Sequence, residues 1–145
     1  MARTYRLGFW RRVINRLIRG LLRLGVPLPH TYILSVRGRK SGRMYSIPVT
    51  LVEDNGARWL VAPYGEVSWV KNARASGEVT LRRGRRTETV KLVELAPEEA
   101  APILKRYLIR APVVRPFFDV TPHSNDQDFV GEASRHPVFR IEEAP

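Results

Sequence analysis

Apolar residues in the first 25 positions recur at three- and four-residue steps: Trp10, Val13, Ile14, Leu17, Ile18 and Leu21. Arg12, Asn15, Arg16, Arg19 and Arg23 fall largely on the other side, which predicts an amphipathic helix over Arg3 to Leu24. Gly25-Val26-Pro27-Leu28-Pro29 stops it. From Thr31 the period shortens toward two. Strands are expected at Thr31–Arg37, Met44–Glu53, Arg58–Ala62, Val79–Arg82 and Thr87–Glu94. Asp54-Asn55-Gly56 and Arg83-Gly84-Arg85 read as tight turns, so the strands they join are expected to be antiparallel neighbours. Between the turns, Ser68 to Ser76 reads as a short helix with Ser68 as cap and Gly77 as stop. A second helix is expected over Ala96 to Arg110, with Pro97-Glu98-Glu99 at its positive end and Lys105, Arg106 and Arg110 toward its negative end. Ala111 to Ser124, with three prolines and Phe117-Phe118, reads as a covering loop, and His136 to Ile141 as a last strand. The organisation expected is a helix in residues 1–25 followed by one mainly β, α+β domain over residues 30–145.

Composition narrows the function classes. The 145 residues suit one domain, and 25 Lys plus Arg against 14 Asp plus Glu give a formal charge of +11. Such an excess favours an anionic partner: nucleic acid, an anionic membrane leaflet or a polyanionic cofactor. Cysteine is absent, which excludes disulfides, thiol nucleophiles and cysteine metal sites and fits a reducing cytoplasm. His30, His123 and His136 are scattered, so no metal site is expected. No run approaches the roughly 20 apolar residues needed to span a bilayer. The seven arginines of the first helix leave two placements open: on the domain, or in a membrane interface with cations toward anionic headgroups.

Two stretches carry candidate chemistry. In Val36-Arg37-Gly38-Arg39-Lys40-Ser41-Gly42-Arg43, glycines that permit positive φ stand beside fixed cations, a combination suited to gripping a phosphate or carboxylate. A solvated basic hairpin tip is the alternative. It is not a P-loop, because Arg39 precedes Lys40-Ser41 and a strand follows, and no G-x-G-x-x-G fingerprint occurs. In the second stretch, Val61 to Asn72, a strand ends at Pro63, a Tyr-Gly turn follows and a helix opens, with its free N–H groups suited to an anion or a polarised carbonyl. Trp69 and Asn72 share one face of that helix. As a site they would give an aromatic wall and an amide; as structure, a core anchor and a local cap.

Taken together, Gly38-Arg39-Lys40-Ser41-Gly42, Pro48, Val61-Ala62-Pro63-Tyr64-Gly65, Trp69 and Asn72 resemble the deazaflavin-dependent nitroreductases and the related quinone reductases. The resemblance spans roughly Thr31 to Leu95. It implies a split β-barrel oxidoreductase using coenzyme F420, an anionic deazaflavin with a phosphate and a glutamate tail. It would place Arg39, Lys40, Ser41 and Gly42 at the phosphate and tail and Pro48 beside the ring system. Ala62, Pro63, Tyr64 and Gly65 would run along the deazaflavin, with Trp69 and Asn72 behind. The cofactor would give hydride, and Tyr64 is the hydroxyl expected nearest the ring, as a catalytic group or as a simple stacking partner.

Two departures bear on the substrate. Tyr45 stands where the family often has arginine, so a phosphate contact is expected to be missing or taken over by Arg43. Phe117, Phe118 and Phe129 occupy the region where nitroimidazole-reducing members carry tyrosines, and phenylalanine donates no hydrogen bond. The expected acceptor is therefore a small apolar molecule, a quinone or enone ahead of a nitro compound. Two rival readings remain: a non-catalytic basic module for membrane surface or nucleic acid, and a split-barrel enzyme using FMN. Nucleic acid fits poorly, because the Arg82 to Arg86 hairpin has no interleaved aromatics. The sequence does not fix the oligomeric state.

Overall fold

The computed structural model describes residues 30–143 together with Arg16. Apart from Arg16, which is helical and exposed, the helix expected over residues 3–24, with its two placements, lies outside the described residues. Six strands follow: β1 (Thr31–Arg37), β2 (Met44–Asp54), β3 (Ala57–Val61), β4 (Glu78–Arg83), β5 (Arg86–Glu94) and β6 (Val138–Glu143). They close an antiparallel barrel in the order β1-β2-β3-β6-β5-β4. Within residues 30–143, three α-helices, α1 (Ser68–Ser76), α2 (Pro97–Arg110) and α3 (Asp126–Ala133), and a 3-10 segment at Pro112–Phe117 lie at its periphery. This is the mainly β split barrel with peripheral helices that the sequence predicts.

Side-chain period explains why the barrel is covered unevenly. On β4 and β5, buried Val79, Leu81 and Val90 sit in register among polar neighbours, so one face of each strand meets the core and the other meets water. On β2, β3 and β6, adjacent residues are both buried: Leu51-Val52, Leu60-Val61 and Val138-Phe139. One member of each pair joins the barrel interior with Leu34, Val36 and Leu81, and the other joins a second core under α2 and α3 with Leu104, Leu108 and Phe129. A strand covered on both faces cannot alternate, and these pairs record that.

The tight turns form as the sequence requires. Asn55 and Gly56 both take positive φ, at 48° and 83°, and Gly77 closes α1 in the left-handed region at φ 78°. Three expectations need correction. Ser68 is the first helical residue of α1, not its cap; Val67 holds the cap position and makes no side-chain cap hydrogen bond. Residues 111–124 are not all loop, since Pro112–Phe117 winds into a 3-10 segment. The last strand starts at Val138, because His136 is drawn into the turn leaving α3 by its N–H bond to the Glu132 carbonyl at 3.2 Å.

Candidate functional site

The basic glycine turn is built by the β1–β2 hairpin. The Gly38 N–H donates to the Arg43 carbonyl at 2.7 Å, and the Gly42 N–H donates to the Gly38 carbonyl at 3.0 Å. Gly42 takes positive φ, at 74°, as a glycine there suggests. Gly38 does not. A Cβ at 38 would lie 2.6 Å from Tyr45 Cε2 and 2.8 Å from Ser41 Oγ, so this glycine supplies space rather than backbone freedom. Tyr45 folds back over the turn, with its hydroxyl 3.1 Å from Ser41 Oγ.

Facing the turn is the start of α1. Between them lies a cleft of about 790 Å³, lined by Gly38, Arg39, Lys40, Ser41, Tyr45 and Ile47 on one side and Val67, Ser68, Trp69 and Asn72 on the other. The two walls are tied together at Asn72. This buried side chain is 5% exposed, and its Oδ1 accepts from the Arg39 main-chain N–H at 3.0 Å and from Arg39 Nη1 at 2.8 Å. Trp69 is anchored in the barrel interior, its ring tilted against Phe139 at 6.3 Å. Its position unites the two roles weighed for it, since a core anchor here also walls the cleft.

Electrostatically the cleft is one-sided. Among the described residues, no carboxylate forms an ion pair with Arg39 or Lys40. The first turn of α1 carries no acidic residue and no side-chain cap, so its N–H dipoles are not offset locally. Glu66, just before that helix, is held by Arg74 Nη1 at 2.7 Å. An anion placed between the turn and the helix would meet positive potential from both walls.

The other sequence candidates lie elsewhere. Pro48 sits on β2 in register with Ile33, and Gly42 is at the outer side of the turn. Ala62 has no exposed surface; its N–H donates to the Pro137 carbonyl at 2.9 Å, and its carbonyl faces His136 Nδ1 at 3.3 Å. Pro63, Tyr64 and Gly65 are half-buried, with Tyr64 edge-on against Phe117 at 4.9 Å. None of these six lines the cleft. Phe118 and Phe129 are core residues, which accounts for their lack of a polar group.

Sequence reasoning missed α3 and what it carries. Asn125 caps this helix by accepting from the Asp128 N–H at 2.9 Å, and Asp126 and Asp128 fill the first turn. Asn-Asp-Gln-Asp was a readable start signal. From α3, Glu132, 1% exposed, reaches His136 Nε2 at 3.0 Å and Arg135 Nη2 at 2.7 Å. The His136 ring stacks on Phe118 at 3.9 Å, and the Arg135 carbonyl lies 3.2 Å from where a Cβ on Gly65 would be. This cluster therefore clamps the segment leaving β3.

Burial pushes the His136 pKa below its ordinary value, with Glu132 opposing and Arg135 assisting. The unfolded chain thus takes up a proton near pH 6.5 that the folded protein resists, so stability should fall as the pH drops from about 6.5 through the lower folded-state value. Urea unfolding at pH 7.5, 6.5, 5.5 and 5.0 should show this decline in the parent protein and a shallower one in His136→Asn. Equal slopes would contradict the assignment.

Comparison with known proteins places the geometry in context. Residues 10–115 match the family model described as F420H(2)-dependent quinone reductase. A solved F420-H2 dependent reductase, FDR-A, is 24% identical and superposes with a TM-score of 0.56, covering 78% of this chain and 94% of that one. A structure described as a domain-swapped dimer is 23% identical, with a TM-score of 0.60 over 92% of this chain and 97% of that one. A FAD-binding protein from Mesorhizobium loti shares 13% identity and a TM-score of 0.51, covering 89% of this chain and 88% of that one. At these identities the structures speak for the fold. No curated protein matches the chain.

Proposed function

Because the chain belongs to the F420H(2)-dependent quinone reductase family, we propose that the cleft between the β1–β2 turn and α1 seats the cofactor and that the acceptor is an apolar quinone or enone. The protein is an F420-dependent reductase, and its cofactor is coenzyme F420. The observation that carries the cleft assignment is charge: Arg39 and Lys40, without carboxylate partners among the described residues, face an uncapped helix start across a cleft walled by Ile47, Val67 and Trp69. These residues fit a ligand with an anionic tail and a flat apolar ring. When bound and reduced, the deazaflavin supplies a hydride.

In this reading Arg39, Lys40 and Ser41 hold the anionic part, with the first N–H groups of α1 on the opposite wall. Trp69, fixed by the barrel interior, gives a rigid apolar surface that excludes water and orients the flat portion. Reducing a quinone requires a proton as well as a hydride, and the phenol lining the cleft is that of Tyr45, hydrogen-bonded to Ser41. Tyr64, the hydroxyl favoured from sequence, packs against Phe117 outside the cleft lining. Gly42, Pro48 and the Ala62 to Gly65 segment act as scaffold for the walls rather than as contacts.

The acceptor is tested by following reoxidation of reduced F420 in parallel with a naphthoquinone, cyclohexenone and a nitroimidazole. The expected result is oxidation by the quinone or enone at least about tenfold faster than by the nitro compound, a gap of about 1.4 kcal/mol in barrier. A nitroimidazole that reacts fastest would overturn the acceptor assignment. Reoxidation no faster than without enzyme for every acceptor would overturn the reductase reading itself.

A further inference from the structure

Arg39 is exposed at the cleft, yet its guanidinium is fixed in position, and the group fixing it is an amide. Arginine only donates hydrogen bonds, so the oxygen of Asn72 must face it, and that oxygen takes both the main-chain N–H and Nη1 of residue 39. A buried acceptor of two such bonds is a place where aspartate would fit by shape and would gain a charge-assisted pair. Aspartate would also cancel the charge it orders. Elsewhere on this protein several arginines are held by acids, Arg74 by Glu66 and Glu94, Arg106 by Asp54, Arg135 by Asp119 and Glu132, and Arg140 by Glu142, while Arg37, Arg82 and Arg115 are held by main-chain carbonyls. Arg39 is held by a side-chain amide.

We propose that Asn72 is a positioning residue that sets the charge selectivity of the cleft: it orders Arg39 at the wall while leaving the full positive charge for an anionic ligand. The claim rests on the reading of the cleft as the cofactor seat and names the residue on which its preference for anions depends. Lys40 adds charge without a comparable anchor, and Arg37 is turned away, with Nη1 on the Gly42 carbonyl at 2.8 Å. Of the cations on this turn, Arg39 is the one bonded through both its backbone and its side chain to the opposite wall.

The test compares the parent protein with Asn72→Asp and Asn72→Ala, measuring thermal midpoint, affinity for F420 and affinity for inorganic pyrophosphate at 50 and 200 mM salt. Asn72→Asp should melt at or above the parent temperature, because it gains an ion pair, yet bind both ligands about 10- to 100-fold more weakly and with a shallower salt dependence. Asn72→Ala should melt lower and lose affinity only about 3- to 10-fold, since it frees Arg39 without neutralising it. If affinity simply follows melting temperature, or Asn72→Asp binds as well as the parent, the charge role is wrong and Asn72 is only a structural tie. A parent protein that binds pyrophosphate, with the loss in Asn72→Asp, but not F420 would uphold the charge role and refute the cofactor seat. Binding of neither by the parent would refute both.

Discussion

Replacing Glu132 with alanine is expected to cost about 3–5 kcal/mol of stability, from buried donors left without an acceptor together with the side-chain volume lost. The carboxylate is 1% exposed, and three groups depend on it: His136 Nε2 at 3.0 Å, Arg135 Nη2 at 2.7 Å and the Asp119 N–H at 3.3 Å. Without it the imidazole keeps its stack on Phe118 but loses its acceptor, and the Asp119 N–H loses the carboxylate oxygen it donates to. Truncation also leaves a hole one helical turn from fully buried Phe129. Glu132→Gln preserves the volume and one acceptor, so its cost should be smaller, about 1–3 kcal/mol. Urea unfolding of both variants checks the order. A loss below about 1 kcal/mol for alanine would mean that the cluster does not hold the C-terminal helix to the barrel. The effect should reach the strand end, since the Ala62 N–H donates to the Pro137 carbonyl at 2.9 Å and the His136 ring packs 3.3 Å from the Ala62 carbonyl.

The second large effect falls on binding. Arg39→Ala removes a side chain at the cleft wall that carries no core packing but gives up the Nη1 bond to buried Asn72 Oδ1, so it should cost about 0.5–1.5 kcal/mol of stability. Its effect on affinity should be greater. A charge-assisted contact to an anion contributes about 1.5–3 kcal/mol, which corresponds to roughly 10- to 100-fold weaker binding of F420. The loss should shrink as salt rises, because screening weakens the same interaction in the parent protein. Titrations at two salt concentrations, with the melting temperature measured alongside, separate this from unfolding. Unchanged affinity would mean that the anionic tail lies elsewhere.

What could be read from the chain was local. The alternation from Thr31 onward located β1 to the residue and β2 to within one at its C-terminal end, because a half-buried strand writes its pleat into the sequence. Asp54-Asn55-Gly56 marked its turn because few residues tolerate positive φ. The family resemblance rested on the same local patterns, and Arg39, Lys40, Ser41, Trp69 and Asn72 do converge on one cleft.

What could not be read depended on distant partners. Pairing of β1 with β4 and of β3 with β6 closes the barrel, and nothing in a strand's own period names its neighbour. Gly38 looked like a conformational glycine, and only the place of Tyr45 across the hairpin reveals a steric one. Tyr64 was the hydroxyl expected nearest the ring, and only the fold puts it against Phe117 and brings Tyr45 into the cleft. Ile47 and Val67 read as ordinary apolar positions and became site residues by facing each other. Asn72 was legible as polar and well spaced, but its bond to Arg39 spans 33 positions. The helix at Asp126–Ala133 was missed although its cap signal was present, because eight residues, four of them polar, span too few turns to show a period.

The central claim is that the cleft between the basic turn and α1 is the seat of the deazaflavin. It is tested most directly by fluorescence titration of the purified protein with coenzyme F420 and, in parallel, with FMN, repeated on Lys40→Ala. Saturable F420 binding that is tighter than FMN binding and weakened about tenfold by the substitution is the result the account predicts. F420 binding that Lys40→Ala leaves unchanged, or FMN binding tighter than F420, would contradict it.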